Sequence, residues 1–277
     1  MVTLSPGRVL RRLRSILYVG VVQTVVRRSG INHYLSDPYW NLVHRLSPDT
    51  QEHTIEGFSV EFNVNTLTEF MRFRQLAGEQ HIIADVLRSL TAKDTFYDVG
   101  ANVGTYTCFA ASKLGDGRTV AFEPEPENVA SLRKNIELND LHVDVCPFAL
   151  SDTDGTTRLA LTGEEAGEGE HSLAVDDTQD TVEIETKRGD TALASYDLPT
   201  PTVVKIDVEG AELLVLKGMA STLREHVRLV YLEVHPEKLV KFGSTTSEVR
   251  TFLEDAGFEV TELLDRGGES FWRASKF

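Results

Sequence analysis

Cysteine is nearly absent from this chain of 277 residues: Cys108 and Cys146 are the only two, and they form no C-x-x-C pair. That excludes a disulfide framework and a zinc-ribbon site. Lysine is scarce too, with nine residues against 19 arginines. No apolar run is long enough to cross a bilayer. Ser15 to Val26 gives twelve residues and then meets Arg27-Arg28, where a spanning helix needs roughly 17–25. No small-x-small cleavage pattern follows that run, and no internal repeat is visible. Positive charge is in deficit, with 28 basic residues against 43 acidic ones and a net charge of −15. Such a surface disfavours nucleic acid as a partner.

Hydrophobic residues make up 41% of the chain and charged residues 26%, ordinary globular usage that rules out a disordered chain, a collagen-like repeat or a coiled coil. The length suits one large α/β domain with an extension. An acidic, lysine-poor surface holds water and cations, and self-repulsion is screened within about 3 Å at molar salt. This favours a salt-adapted cytoplasmic protein; an ordinary acidic cytosolic enzyme is the plainer alternative.

The charge is uneven. Residues 1–30 hold Arg8, Arg11, Arg12, Arg14, Arg27 and Arg28 and no acid, so this arm is +6 and the remainder carries −21. Leu10, Leu13 and Leu17 share a helical face opposite Arg8, Arg11 and Arg12. The arm reads in two ways: as a helix on an anionic membrane surface, or as a surface helix covering the domain behind it.

Residues 31–80 read as an irregular entry segment, with a strand at Phe58–Val64 and a short helix at Leu67–Leu76. Together with the arm they form an N-terminal extension, residues 1–80, ahead of a domain at 81–277. A helix over His81–Leu90 leads into strand–helix alternation. Strands are expected at Thr95–Val99, Thr119–Glu123, Val143–Ala149, Thr202–Asp207 and Leu229–Glu233. Helices are expected at Thr105–Leu114, Asn128–Asn139, Glu212–Leu223 and Ser247–Ala256. Phe258–Leu263 and Ser270–Ala274 form a closing strand pair. Alternating βα units imply an α/β fold with a mostly parallel sheet covered on both faces. Residues 163–180, with seven acids and three glycines, interrupt the rhythm as a mobile acidic loop.

In an open α/β sheet, ligands bind beyond the carboxyl ends of the strands. The first core strand runs into Asp98-Val99-Gly100-Ala101-Asn102-Val103-Gly104, whose glycines let backbone approach a ligand and whose following helix offers free N–H groups. Glu123 ends the second strand, 23 residues after Gly100, where an acid accepts hydrogen bonds from both ribose hydroxyls. A glycine turn with such an acid indicates an adenosine-containing cofactor. A dinucleotide fingerprint reads G-x-G-x-x-G; here Asn102 stands where the middle glycine would be, and Asp98 suits the ammonium of a methionine moiety better than a pyrophosphate. The spacing therefore favours S-adenosylmethionine over a dinucleotide.

The segments DVGANVGTYT, AFEPEPENVASLRKNIELN, FALSD, VKIDVEGAELLVLKG and LEVHP occur in that order. In this pattern, over residues 80–275, the chain resembles the FkbM-type family of S-adenosylmethionine-dependent methyltransferases. The resemblance implies a Rossmann-like class I methyltransferase fold, with a mostly parallel seven-stranded sheet and an antiparallel closing strand. It also implies cofactor contacts at Asp98, Gly100, Asn102, Gly104, Glu123, Ala149, Ser151 and Asp207. A family-like Ser172-Leu173 pair persists in the acidic loop, although His171 replaces the more usual serine. The family mostly O-methylates sugars, polyketides and related hydroxyl compounds.

The rim of strand ends supplies candidates for acceptor chemistry. Asp207, Glu209, Glu233 and His235 are candidate bases. His235 has the ordinary pKa best suited to that task, about 6.5, but it reads equally as a strand-end cap before Pro236. Lys205 anchors an anionic acceptor or pairs with Asp207 or Glu209, and Asp207 either acts as base or holds the cofactor. A divalent ion between Asp207 and Glu233 is an open alternative, but carboxylates at strand ends do not by themselves make a metal site, and no metal is assigned. The two cysteines read as core.

The resemblance, taken with the basic arm, implies methylation of a hydroxyl or carboxyl group of a sugar in a glycan or lipid-linked oligosaccharide, with the arm at the inner face of the membrane. A small-molecule O-methyltransferase and a non-catalytic cofactor- or glycan-binding module are the alternatives. A nucleic-acid methyltransferase would show an N-P-P-Y-type segment where Asp207-Val208-Glu209-Gly210 stands.

Overall fold

A computed structural model describes residues 31–115, 118–160, 172–173 and 181–276. The basic arm and all of the acidic loop except Ser172 and Leu173 lie outside the described residues.

The entry segment is more regular than its sequence suggests. It opens with helix α1 (Ile31–Arg45), which contains Pro38. Strands β1 (Thr50–Ile55) and β2 (Phe58–Asn63) form an antiparallel hairpin. Its two-residue turn puts Glu56 at φ 51° and Gly57 at φ 85°, the left-handed pair that matches strand twist. Strand β1 (TQEHTI) is mostly polar and half-buried, so its composition hid it. Helix α2 (Leu67–Phe73) begins with a capping box between Thr66 and Glu69. A 3₁₀ turn (Leu76–Gly78) leads to α3 (Gln80–Ser89).

The alternating region then builds β3 (Phe96–Val99), α4 (Thr105–Leu114), β4 (Thr119–Phe122), α5 (Pro126–Leu138) and β5 (Asp144–Cys146). A second sheet follows, made of β6 (Ala149–Ser151), β7 (Gly155–Ala160), β8 (Ser172–Leu173) and β9 (Thr181–Arg188) in the order β6-β9-β7-β8. The chain continues through α6 (Gly189–Ser195), β10 (Val203–Ile206), α7 (Glu212–Gly218), α8 (Ala220–Glu225) and β11 (Leu229–Val234). It closes with α9 (Pro236–Lys241), α10 (Thr246–Asp255), β12 (Glu259–Asp265) and β13 (Ser270–Ser275).

The main sheet has seven strands in the order β12-β13-β11-β10-β3-β4-β5. Strands β5, β4, β3, β10 and β11 are mutually parallel, and β13 runs antiparallel to both its neighbours. Every residue of β3, β4, β10 and β11 is buried, as helices on both faces require. From β3 the chain steps outward through β4 and β5, then returns on the other side through β10 and β11. The switch point therefore lies between the carboxyl ends of β3 and β10.

Two expectations are corrected. The single strand read over Val143–Ala149 is two strands in different sheets. Pro147 has no N–H to give a ladder, so β5 stops at Cys146, the Phe148 N–H turns back to the Cys146 carbonyl at 2.9 Å, and Ala149 restarts the chain beside β9. The helix read over Glu212–Leu223 is also two helices, meeting at Met219. At the end of the first, a Cβ on Gly218 would stand 1.9 Å from the Ser151 carbonyl oxygen, so only glycine lets α7 lie this close to β6.

A core on each face of the main sheet holds these layers together. The entry segment belongs to one of them. Phe62 stacks on Phe73 at 4.2 Å and meets Phe109 of α4 at 5.9 Å. Asn135 of α5 accepts from the Asn63 backbone N–H at 2.9 Å and donates to the Val103 carbonyl at 2.8 Å. The hairpin is thereby tied to the segment that carries the glycine turn. No described helix is long and apolar enough to cross a membrane.

Phe62→Ala is expected to cost about 3–5 kcal/mol of stability, whereas Leu42→Ala, at a position 49% exposed, should stay within about 0.5 kcal/mol. Denaturant unfolding in molar KCl measures both, and equal small losses would show that the hairpin stands apart from the core.

Candidate functional site

The site forms where β3 gives way to its glycine turn. Both Gly100 and Ala101 donate their N–H groups to the Phe122 carbonyl at 3.0 Å, which draws the turn over the end of β4. Gly100 has φ 75°, and a Cβ there would lie 1.8 Å from the Asp207 carbonyl oxygen. No other residue fits between β3 and β10. Asn102 takes a left-handed φ of 50°, and its side-chain oxygen accepts from the Val103 N–H at 2.8 Å. That local hydrogen bond explains how asparagine serves where glycine is usual.

Glu123 fastens the turn from the neighbouring strand. Its two oxygens accept from the Asn102 N–H at 2.7 Å and the Glu125 N–H at 2.9 Å. Each oxygen keeps a lone pair for a further donor. Burial pushes the Glu123 carboxyl up to about 7, against the pull of these hydrogen bonds. Glu125 caps α5 by accepting from the Glu127 and Asn128 N–H groups.

Lys205 rises from β10 under the turn. Its ammonium donates to the Gly100 carbonyl at 2.9 Å and pairs with Asp98 at 3.2 Å and Asp207 at 3.6 Å. It also lies 5.2 Å from the centre of the Tyr106 ring. Burial works against this ammonium, but Asp98, Asp207, Glu79 and Glu233 outweigh it and hold its pKa above the usual lysine range. Lys205 is a fixed cation.

The segment after β10 turns sharply, with Glu209 at φ 55° and Gly210 at φ 106°. The turn sets Asp207, Glu209 and Glu212 around His235, which follows β11. His235 Nδ1 is 2.7 Å from Glu212 Oε1, and its Nε2 is 3.3 Å from Glu209 and 4.0 Å from Asp207. Burial would lower the imidazole's pKa, but these three carboxylates raise it to about 9. Burial first, then Asp207, lift Glu209 to about 7; burial, then Asp207 and Glu79, lift Glu233 to about 9. Lys238 pairs with Glu209.

These groups border a cleft with about 920 Å³ of empty space, its open mouth included. Of the residues expected from sequence, Gly100, Asn102, Glu123, Ala149, Lys205, Asp207 and Glu209 line it. Asp98 does not. It is fully buried beneath the cleft, accepting from Thr107 Oγ1 at 2.6 Å and pairing with Lys205, so direct contact with an ammonium gives way to an indirect role through Lys205. Gly104 packs on Leu132 at the start of α4, Ser151 is buried against Gly218, and His235 stands behind Asp207 and Glu209. Five polar lining residues escaped the sequence reading: Arg72, Glu79, Thr105, Tyr106 and Asn128. Thr105 and Tyr106 follow the glycine turn and Asn128 follows the EPEPE segment, so adjacency could have flagged them. Arg72 and Glu79 come from the entry segment and carry no local signal.

The residues present fit S-adenosylmethionine. Glu123 offers lone pairs for ribose hydroxyls. Phe122, Ala149, Leu150 and Leu159 make an apolar slot for a purine, and acids at the other end suit a cationic sulfonium.

The family model for the methyltransferase FkbM domain matches residues 98–260. The chain belongs to this family. Its methyl donor is S-adenosylmethionine. Among relatives, the hexuronic acid methyltransferase AglP of Haloferax volcanii is 33% identical over 211 residues, covering 76% of this chain and 82% of that protein. The 31-O-demethyl-FK506 methyltransferase FkbM of Streptomyces tacrolimicus is 28% identical over 200 residues, covering 62% and 75%. The crystal structure of methyltransferase FkbM from Methylobacillus flagellatus is 16% identical, covers 69% of this chain and 46% of that one, and gives a TM-score of 0.48.

Glu123→Ala should weaken S-adenosylmethionine binding by roughly 10- to 150-fold, the loss of a charge-assisted hydrogen bond worth about 1.5–3 kcal/mol; calorimetric titration measures it. In that role Glu123 would accept from ribose hydroxyls only as the ionised carboxylate. Affinity of the wild type should therefore fall as pH drops below about 7, approaching tenfold per unit, and Glu123→Gln should abolish that dependence.

Proposed function

We propose that this methyltransferase acts on an oxygen of an acidic sugar within a glycan or lipid-linked oligosaccharide. The observation carrying this reading is the pairing, in one cleft, of the Glu123 end with a second end where Lys205 and Arg72 present positive charge among Glu79, Asp207 and Glu209. Two cations suit an acceptor bearing a carboxylate, and the relationship to a hexuronic acid methyltransferase supports it. Relatedness to a methyltransferase named for FK506 keeps a small-molecule acceptor as the second reading.

S-adenosylmethionine supplies an electrophilic methyl group on a sulfonium. The chain's own task is positioning, which contributes up to roughly 7–11 kcal/mol in favourable reactions. Lys205, whose three donors go to Gly100, Asp98 and Asp207, acts on an anionic group of the acceptor through its charge and not through a hydrogen bond. A hydroxyl acceptor must lose its proton, and Glu209 lines the cleft with a pKa near neutrality, the condition for an effective base. Asp207 stands beside it, and His235, oriented by Glu212, supports both from behind. A carboxylate acceptor needs no base.

The acidic surface and the Haloferax relative support a salt-adapted archaeal setting. There the six arginines of residues 1–30 are screened within about 3 Å, so attachment to a membrane would rest on the apolar residues of that segment.

Transfer of radiolabelled methyl to oligosaccharides ending in a hexuronic acid, with neutral sugars for comparison, tests this reading; labelling that ignores the acid group would overturn it. Glu209→Gln separates the acceptor atoms. Turnover should fall about 10²- to 10⁴-fold for a hydroxyl and change little for a carboxyl group. Removing residues 1–30 should abolish co-sedimentation with anionic vesicles in molar KCl while turnover of a soluble acceptor persists. Unchanged sedimentation would refute the membrane role.

A further inference from the structure

Behind the cleft, Asp207, Glu233 and His235 each bring one ligand atom to within 4.8 Å of the others. Bonds of about 2.1 Å to a common ion separate ligand atoms by about 3–4 Å, so small side-chain adjustments close the set. The carboxylates are already divided between tasks. Asp207 turns Oδ2 to Lys205 at 3.6 Å and Oδ1 to His235 Nε2 at 4.0 Å.

Two further observations point to a ligand here. Glu233 is only 5% exposed, and among the described residues it makes no hydrogen bond; its cationic neighbour Arg266 is 3.9 Å away. Arg266, His235 and Lys205 balance its charge only from a distance, and no donor among the described residues touches it. His235, in turn, is held by a dedicated partner. Glu212 is fully buried, and its Oε1 takes the His235 Nδ1 at 2.7 Å and the Gly210 N–H at 3.0 Å. With Nδ1 held by Glu212, the ring presents Nε2 to Glu209 at 3.3 Å and Asp207 at 4.0 Å, and an ion bound there takes the place of the Nε2 proton. A carboxylate that orients a histidine in this way recurs behind metal-ligating histidines.

We propose that Asp207, Glu233 and His235 form a divalent-cation site. Two carboxylates and one imidazole make a mixed oxygen–nitrogen set that suits Mn²⁺ among abundant ions, and three protein ligands leave coordination positions open. The ion adjoins Asp207 and Glu209 of the cleft wall. An acidic sugar can fill the open positions with two neighbouring oxygens, one of them from its carboxylate. This role in catalysis rests on the acidic-sugar reading; binding of the ion does not.

The test uses the full chain, treated with chelator and dialysed into molar KCl. MnCl₂ is titrated with calorimetry and with electron paramagnetic resonance of free Mn²⁺, and S-adenosylmethionine binding is measured in the same samples to verify folding. One site is expected. Glu233→Gln and His235→Asn should each weaken it at least tenfold, Glu212→Gln by about 10- to 100-fold, and the exposed control Glu254→Gln should leave it unchanged. The proposal is overturned if folded wild type takes up no Mn²⁺, or if the cluster variants bind it as well as the control. Mn²⁺ binding without transfer to acidic sugars would leave the ion site standing and sink the acceptor reading instead.

Discussion

The buried ammonium of Lys205 is the contact on which the site depends. It joins two pieces of chain remote in sequence: β3 and its glycine turn, through Asp98 and the Gly100 carbonyl, and the end of β10, through Asp207. Each partner needs it. Asp98 has no exposure to water, and an unpaired charge at such a position costs about 3–5 kcal/mol. Because the same ammonium supports both the turn and the acidic wall, donor and acceptor ends of the cleft are registered against each other by one group.

Around that cation the protein concentrates negative charge. Glu79, Asp207, Glu209, Glu212 and Glu233 come from three separate parts of the fold; burial first, then repulsion from Asp207 and, for Glu233, also from Glu79, raises the pKa values of Glu209 and Glu233. Structural ion pairs seldom require such an excess of one sign. Sites that handle protons, cations or charged substrates do. The strain at Glu209, whose φ is 55°, agrees with this reading, since unfavourable backbone persists where surrounding structure demands it.

The mostly parallel sheet was legible because each of its core strands is a short apolar run bounded by turn residues; the antiparallel closing strand followed from the resemblance to the family, and the order of strands appears only in the fold. Gly100, Asn102 and Glu123 were legible for a related reason: their spacing is set by one βαβ unit and is local in the chain. What stayed hidden depended on long-range contact. Strand β1 is a polar sequence that becomes a strand by pairing with β2. Strand β6 leaves the main sheet because β9, more than thirty residues later, provides a better partner. Asp98 looked like a ligand contact from its place before the turn, yet Lys205, over a hundred residues away, claims it. Arg72 and Glu79 reach the cleft through the packing of Phe62 and Phe73 on α4, a tertiary arrangement that no local motif encodes.

That last feature makes the cleft a joint product of two stretches of chain. The match to the family model begins at residue 98, while Arg72 and Glu79 belong to the segment ahead of it and supply part of the cleft wall. The two stretches are joined by an aromatic stack, Phe62 on Phe73 and against Phe109. Whatever loosens that stack therefore shifts one wall of the cleft against the glycine turn without touching a residue of the turn itself.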